Sequence, residues 1–346
     1  MVVERVEESV ARQIQIAMVS VFIPTYNGVA FLDETLNSVL GQTYSDIEVL
    51  CVDDGSTDDT VALLKRYAVK DDRVWVFEKQ NEGAVPFAWN YVFPYLKGEF
   101  TLYLSQDDVL ATDLIERLVE KQAENDADAV IPSVVWFEKD PLCPEEQYSA
   151  LNERNRMGAM KPMTGMEAFD KMLDYAIPGF AMWRTDMIRK CGMLTESFNS
   201  DELMQRIWVS KCRTVEFSSA KFYYRQRPQS ITKGLKAYHY GSLLTNMRLL
   251  EAMYENGVSA ERIAPLQFSY FRSLFYLRAQ YLANRKNYSS EDREKIEKIL
   301  IHVYPSTSKG VQVPSGMKNL IYKFAASSEM TYRFATWMYS KTLTKQ

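Results

Sequence analysis

Four short apolar runs in the first 110 residues each end in a polar motif, and a helix-length segment follows each one. The runs are Val19–Ile23, Ile47–Val52, Val74–Phe77 and Phe100–Leu104; the segments behind them are Phe31–Leu40, Thr60–Tyr67, Ala84–Tyr95 and Leu114–Glu124. Alternation at this spacing predicts βαβ units and a parallel sheet. In such a sheet ligands bind outside the carboxyl ends of the strands. The polar motifs sit at those ends: Pro24-Thr25-Tyr26-Asn27, Asp53-Asp54-Gly55-Ser56, Asn81-Glu82-Gly83 and Ser105-Gln106-Asp107-Asp108. Together they describe one site gathered from about ninety residues of chain.

The chemistry of the site is carried by carboxylates. One at Asp53 or Asp54 can accept the imide N–H of a pyrimidine base, and Gly55 lets the backbone turn tightly. Asp107 and Asp108 suit Mg2+ or Mn2+, which in a nucleotide complex needs only one or two protein carboxylates because phosphate oxygens and waters complete its shell. Each motif also has a plainer use. Asp-Gly makes turns, and Thr57, Asp58, Asp108 or Thr112 can cap the helix that follows. Two carboxylate motifs at neighbouring strand ends favour the metal–nucleotide reading over two independent caps.

The rest of the chain is less regular. A strand is expected over Ala129–Phe137, then a charged, proline-containing loop over 138–163, too long for a plain connection. A helix over Gly165–Leu173, a short apolar run Phe180–Trp183, a helix over 198–211 and two short strands, Thr214–Phe217 and Lys221–Arg225, complete the mixed part. After about Tyr240 only helices are expected, over 241–255, 262–284, 291–303 and 317–340. The domain division that follows is an extension over 1–17, a catalytic domain over 18–235 with halves 18–125 and 126–235, and a helical region over 236–346.

Composition narrows the function classes. With 346 residues, 47% hydrophobic and 25% charged, the chain is an ordinary globular protein, and its net charge of −4 gives no general affinity for nucleic acid. Cys51, Cys143, Cys191 and Cys212 have no metal-like spacing and read as reduced thiols, which suits a cytoplasmic location. Two histidines leave little material for histidine chemistry. No segment has the ~20 apolar residues of a membrane span.

The ordered series Pro-Thr-Tyr-Asn, Val-Asp-Asp-Gly-Ser-Thr-Asp-Asp-Thr, Asn-x-Gly and Leu-Ser-Gln-Asp-Asp resembles the family-2 glycosyltransferases, over roughly residues 18–232. The resemblance implies an α/β GT-A fold: a Rossmann-like, mostly parallel sheet flanked by helices, here with an all-helical C-terminal extension. It implies an inverting, metal-dependent hexosyl-type transfer from a nucleoside diphosphate sugar, a UDP-sugar favoured, to a hydroxyl of a glycan or lipid-linked saccharide, as in bacterial surface polysaccharide synthesis. By position, Asp54 would meet the base, with Pro24, Thr25, Tyr26, Asn27 and Asp53 lining the nucleoside pocket. Asn81 and Gly83 would lie near the ribose and sugar, and Gln106 and Asp107 beside the diphosphate. Asp107 would hold Mg2+ or Mn2+ with Asp108 behind it. Ser105 stands where the family's Asp-x-Asp signature has its first Asp.

The family's acidic dyad at the start of a helix matches Asp201-Glu202, in the order Asp-Glu rather than Glu-Asp. Asp201 would be the base and Glu202 its neighbour, although acids also suit any helix start. Phe222-Tyr223-Tyr224-Arg225-Gln226-Arg227, running on to Thr232, resembles the closing element, from which Arg225 and Arg227 would reach the diphosphate. Trp183 and Arg184 are candidates for the acceptor side. From Ser306 onward, six basic residues face Glu329 alone, a net +5 interleaved with Phe324, Phe334, Trp337 and Met338. Such a helix can lie peripherally on an anionic membrane, here the cytoplasmic face of the inner membrane, or pack on the domain with its basic face in water. Two other readings compete. A non-catalytic nucleotide-sugar module would bind donor without turnover. A sugar nucleotidyltransferase would carry a glycine-rich basic loop after its first strand, where Pro24–Val29 has only Gly28.

Overall fold

The computed structural model describes residues 17–195, 199–227 and 236–343. They fall into two compact units: one holds the chain up to Met193 and resumes at Met204, the other holds Leu194–Leu203 and the chain after residue 230.

In the first unit β1 (Val19–Thr25) and β2 (Ile47–Asp53) are buried along their whole length. Their near-continuous apolar runs are what parallel strands covered on both faces require. Between them, α1 (Val29–Leu40) buries Leu32, Thr35, Leu36 and Val39, one stripe at helical spacing. The alternation continues through α2 (Thr60–Lys70), β3 (Val74–Glu78), α3 (Val85–Val92), β4 (Phe100–Tyr103), β5 (Val109–Leu110) and α4 (Leu114–Asn125). Then come β6 (Ala129–Phe137), α5 (Ser149–Arg154), α6 (Gly165–Leu173), β7 (Met182–Arg184), α7 (Thr185–Cys191) and β8 (Val215–Arg225); α8 (Ser200–Lys211) has its first turn, up to Leu203, in the second unit and the rest, from Met204, in the first.

The strands form one sheet in the order β3-β2-β1-β4-β7-β6-β8-β5. The first four are mutually parallel, β7 runs antiparallel to β4 and β6, β6 and β8 are parallel, and β5 is antiparallel to β8. The fold is therefore α/β with a mixed sheet. Strand order reverses between β1 and β4, the place where sheets of this kind leave a crevice beyond the strand ends. The β1–β4 pairing stops at Phe22–Tyr103, so the missing N–H of Pro24 falls where no strand needs it.

The two short strands expected over 214–225 are one strand, β8. Its register against β6 shifts between Ile131, opposite Phe217, and Ser133, opposite Lys221. Pro132 between them cannot donate to the ladder, and Ser218-Ser219-Ala220 are accommodated opposite it as a bulge. The long loop 138–163 contains the helix α5 and a 3-10 turn at Glu146–Tyr148.

The second unit contains α9 (Ser242–Glu255), α10 (Ala260–Asn284), α11 (Ser290–Ser308), α12 (Leu320–Ala326) and α13 (Glu329–Leu343). They pack around Tyr240, Phe271, Leu274, Phe275 and Tyr332. The single closing helix expected over 317–340 is interrupted before Glu329, where the Thr331 amide donates to Ser328 Oγ and starts a new helix. Among the described residues no helix is long and apolar enough to cross a membrane.

Candidate active site at the β1–β4 crevice

The loops after β1, β2, β3 and β4 are tied to one another by hydrogen bonds. Asp53 makes the turn after β2: its carboxylate accepts from Ser56 N at 2.8 Å, Ser56 Oγ at 2.5 Å and Thr25 Oγ1 at 3.2 Å. Asn27, in the left-handed region at φ 48°, donates its amide to Ser56 Oγ at 2.9 Å, and its Oδ1 accepts from Thr57 N at 2.8 Å. Asp53 and Asn27, expected to line the nucleoside pocket, are thus occupied in building its frame. Tyr26 between these anchors keeps its ring exposed.

Asp54 is the carboxylate that faces the β3 loop. It accepts from Glu82 N and Gly83 N, both at 3.1 Å, and from Lys79 Nζ at 2.5 Å. Two glycines make this approach possible. Gly83 has φ 79°, and at Gly55, φ 75°, a Cβ would come within 3.0 Å of Asn81 N. A side chain at either position would be strained. Asn81 lies against Gly55 at the surface of this loop pair. Lys79 carried no signal in the sequence beyond its place between β3 and Asn81.

Gln106 has a structural use that departs from the expected diphosphate contact. Its Oε1 accepts from Tyr26 N at 2.9 Å and its Nε2 donates to Tyr26 O at 3.0 Å, clasping the β1 and β4 loops across the crevice. Gly28 leaves room for it: a Cβ there would meet the Gln106 amide and push it out of the clasp.

Asp107 and Asp108 complete the crevice. Asp107 Oδ2 pairs with Arg227 Nε at 2.7 Å. Asp108 lies fully buried: Oδ1 accepts from Arg225 N at 2.9 Å, and Oδ2 has no hydrogen-bond partner among the described residues. Burial raises both carboxyl pKa values, well above the usual range for Asp108, which also feels the charge of Asp107. Arg227 and Arg225 oppose the shift in each case. Two adjacent carboxylates, one with an orphaned buried oxygen, fit a divalent cation in charge. Among the described residues no cluster of three His, Cys, Asp or Glu side chains could hold a metal alone. A donor set of one or two carboxylates is the one that suits Mg2+ or Mn2+ carried with a diphosphate. Asp107 is the ligand such an ion would meet, and buried Asp108 backs it.

Arg225 departs from expectation. Its side chain is 5% exposed; it donates to Asp107 O at 2.9 Å, Glu138 O at 3.3 Å and Glu34 Oε2 at 2.5 Å, and its guanidinium lies over Phe31 and Phe137. It is a strut beneath the site, not a diphosphate ligand. Its partners come from α1, the β4 loop and the segment after β6, which no local pattern links. Arg227 remains over a third exposed and within reach of the crevice. The remainder of the expected closing element, 228–232, lies outside the described residues.

The acceptor-side candidates are also corrected. Trp183 is buried edge-on against Trp208, with ring centroids 5.7 Å apart, so it cannot stack on a sugar. Arg184 pairs in register with Phe100, at the start of β4 and the opposite end of the sheet from the motifs. There it bridges Glu99, Asp126 and Asp128. Asp201 and Glu202 stand in the first turn of α8, whose first residue Ser200 is buried; Phe198, which opened that motif, lies outside the described residues.

Comparison with known proteins agrees with this architecture. The profile of glycosyl transferase family 2 matches residues 20–192. The glycosyltransferase GlyG of Streptococcus pneumoniae serotype 4 is 27% identical over 221 residues, covering 62% of this chain and 73% of GlyG. The uncharacterized glycosyltransferase EpsJ of Bacillus subtilis is 33% identical over 115 residues, a third of each chain. In structure, S. aureus TarS 1–349 in complex with UDP-GlcNAc superposes with a TM-score of 0.64 at 15% identity, covering 95% of this chain and 90% of TarS 1–349. The likeness to TarS is one of GT-A fold. With the profile spanning half its length, the chain belongs to glycosyl transferase family 2.

Proposed function

We propose that this glycosyltransferase moves a sugar, with inversion, from a nucleoside diphosphate sugar to a hydroxyl of a glycan or lipid-linked saccharide in bacterial surface polysaccharide synthesis. The observation that carries the reading is the placement of Asp54 after β2 and Asp107 after β4, at the same ends of parallel strands on either side of β1: one carboxylate for a base and one for a metal. TarS binds UDP-GlcNAc and UDP, and the mannosyltransferase PcManGT from Pyrobaculum calidifontis binds GDP-Man and Mn2+, which supports a nucleotide-sugar donor here.

Asp54 orients the base, and the Tyr26 ring, which is exposed, is available to pack on it. Asp107 would hold Mg2+ or Mn2+, whose chemistry is to neutralise the departing diphosphate. Arg227, already on Asp107, offers a guanidinium to the same phosphate oxygens. Asp201 takes the proton of the attacking hydroxyl, and Glu202 supports it. The test is a panel of nucleotide sugars assayed for diphosphate release with and without Mn2+. Metal-dependent release from at least one sugar is expected; donor binding without release under any acceptor would make the chain a binding module instead.

The acceptor reading extends to location. On α12 and α13, Leu320, Phe324, Met330, Phe334, Trp337 and Met338 are exposed, while Ala325, Tyr332 and Ala335 face the helical core. Phe324, Phe334 and Trp337 form a chain of rings 6.4 and 6.1 Å apart, and Lys341 Nζ lies 5.5 Å from the Trp337 ring. Aromatics with flanking lysines suit an anionic bilayer interface. A second copy docked on the same face would set like charges together. This face is the proposed peripheral contact with the cytoplasmic side of the inner membrane.

A further inference from the structure

Lys79 stands beside the proposed base pocket with its charge almost wholly covered: its side chain is 8% exposed. Its ammonium has three acceptors, Asp54 Oδ1 at 2.5 Å, Glu82 Oε2 at 2.5 Å and Gln80 O at 3.1 Å. Burial opposes the charge, but the bonds to Asp54 and Glu82 outweigh it and hold the ammonium pKa above its ordinary value. All three N–H bonds are committed, so Lys79 has none left for a ligand. What it does is limit Asp54.

An ionised carboxylate offers about four acceptor positions, two on each oxygen. On Asp54, Oδ1 already accepts from Lys79 Nζ and from Glu82 N, and Oδ2 accepts from Gly83 N. One position, on Oδ2, stays open. A base that presents a single N–H between two carbonyls matches that. Guanine, with N1–H and the 2-amino group side by side, needs both oxygens of a carboxylate. Cytosine and adenine would turn a ring-nitrogen lone pair toward the negative charge.

We infer that Lys79 is a specificity-determining residue: by occupying Asp54 Oδ1 it leaves room for one base N–H, and so selects uracil or thymine nucleotides over guanine nucleotides. The inference rests on the reading of Asp54 as the carboxylate that meets the base.

The test is calorimetric binding of UDP, GDP and inosine diphosphate to the full chain with Mn2+. Inosine diphosphate keeps the purine ring but lacks the 2-amino group, so it isolates the donor count from base size. The wild type is expected to bind UDP at least about tenfold tighter than GDP, and inosine diphosphate tighter than GDP, as an unmatched buried donor is penalised. Lys79→Met, which opens the second position, should bring UDP and GDP to within about threefold; Lys79→Arg should keep the wild-type ratio. A ratio unchanged in folded Lys79→Met overturns the inference, and so does GDP binding as well as inosine diphosphate in the wild type. Should Lys79→Met show no cooperative thermal transition, the wild-type comparison of inosine diphosphate with GDP decides alone. If the wild type binds none of the three, the donor-site reading itself fails and takes the inference with it.

Discussion

Asp108 is a buried carboxylate with one oxygen unserved, and the consequences follow from its charge. With its folded pKa well above the ordinary range, the folded chain holds a proton that the unfolded chain releases. The associated stability is present below the ordinary carboxyl pKa and is lost as pH rises through the raised value. Thermal midpoints without divalent metal should therefore fall as pH climbs from about 5 to about 8, and Asp108→Asn should flatten that slope. A wild-type midpoint that rises over this window would contradict the assignment. Arg225 is a strut whose removal takes the donor from the Asp107 and Glu138 carbonyls, while Glu34, 46% exposed, keeps water as a partner. Arg225→Ala should cost about 2–4 kcal/mol in denaturant unfolding, the scale for leaving two covered carbonyls without their donor. A loss under about 1 kcal/mol would place it among exposed arginines.

At the scale of elements, the first turn of α8 carries the proposed proton acceptor. Asp201→Asn should leave nucleotide affinity nearly intact and lower turnover by about 10²- to 10⁴-fold, while Glu202→Gln costs much less. Full activity in Asp201→Asn would move the base elsewhere. Most elements were legible in the sequence because each is an apolar run of the right length. β1, β2, α6 and β6 follow directly from that. The features that escaped depend on distant partners. β8 appeared as two strands because its bulge answers Pro132, over eighty residues earlier in the chain. Arg225 and Gln106 looked like ligand contacts, being polar and next to motifs. Their actual partners, Glu34 and the Tyr26 backbone, become neighbours only when the sheet assembles. Arg184 departs from expectation for a related reason: β7 runs antiparallel to β4, which carries it to the far end of the sheet.

At the scale of the whole molecule, the donor crevice lies in the first unit, while α12 and α13 with their exposed aromatic face lie in the second. Binding of donor and binding of membrane should therefore separate. Phe334→Ser with Trp337→Ser should abolish low-salt sedimentation with anionic liposomes without changing nucleotide affinity. High salt should weaken the wild-type association, since screening shortens the reach of its lysines. If the wild type ignores such liposomes at low salt, the exposed face serves another partner. The claim on which the account depends most is that Asp107 links metal to diphosphate. Titrating UDP into the wild type and Asp107→Ala, with and without Mn2+, tests it most directly: Mn2+ should tighten binding to the wild type by at least about tenfold and leave Asp107→Ala unaffected, whereas equal Mn2+ enhancement in both proteins would contradict the account.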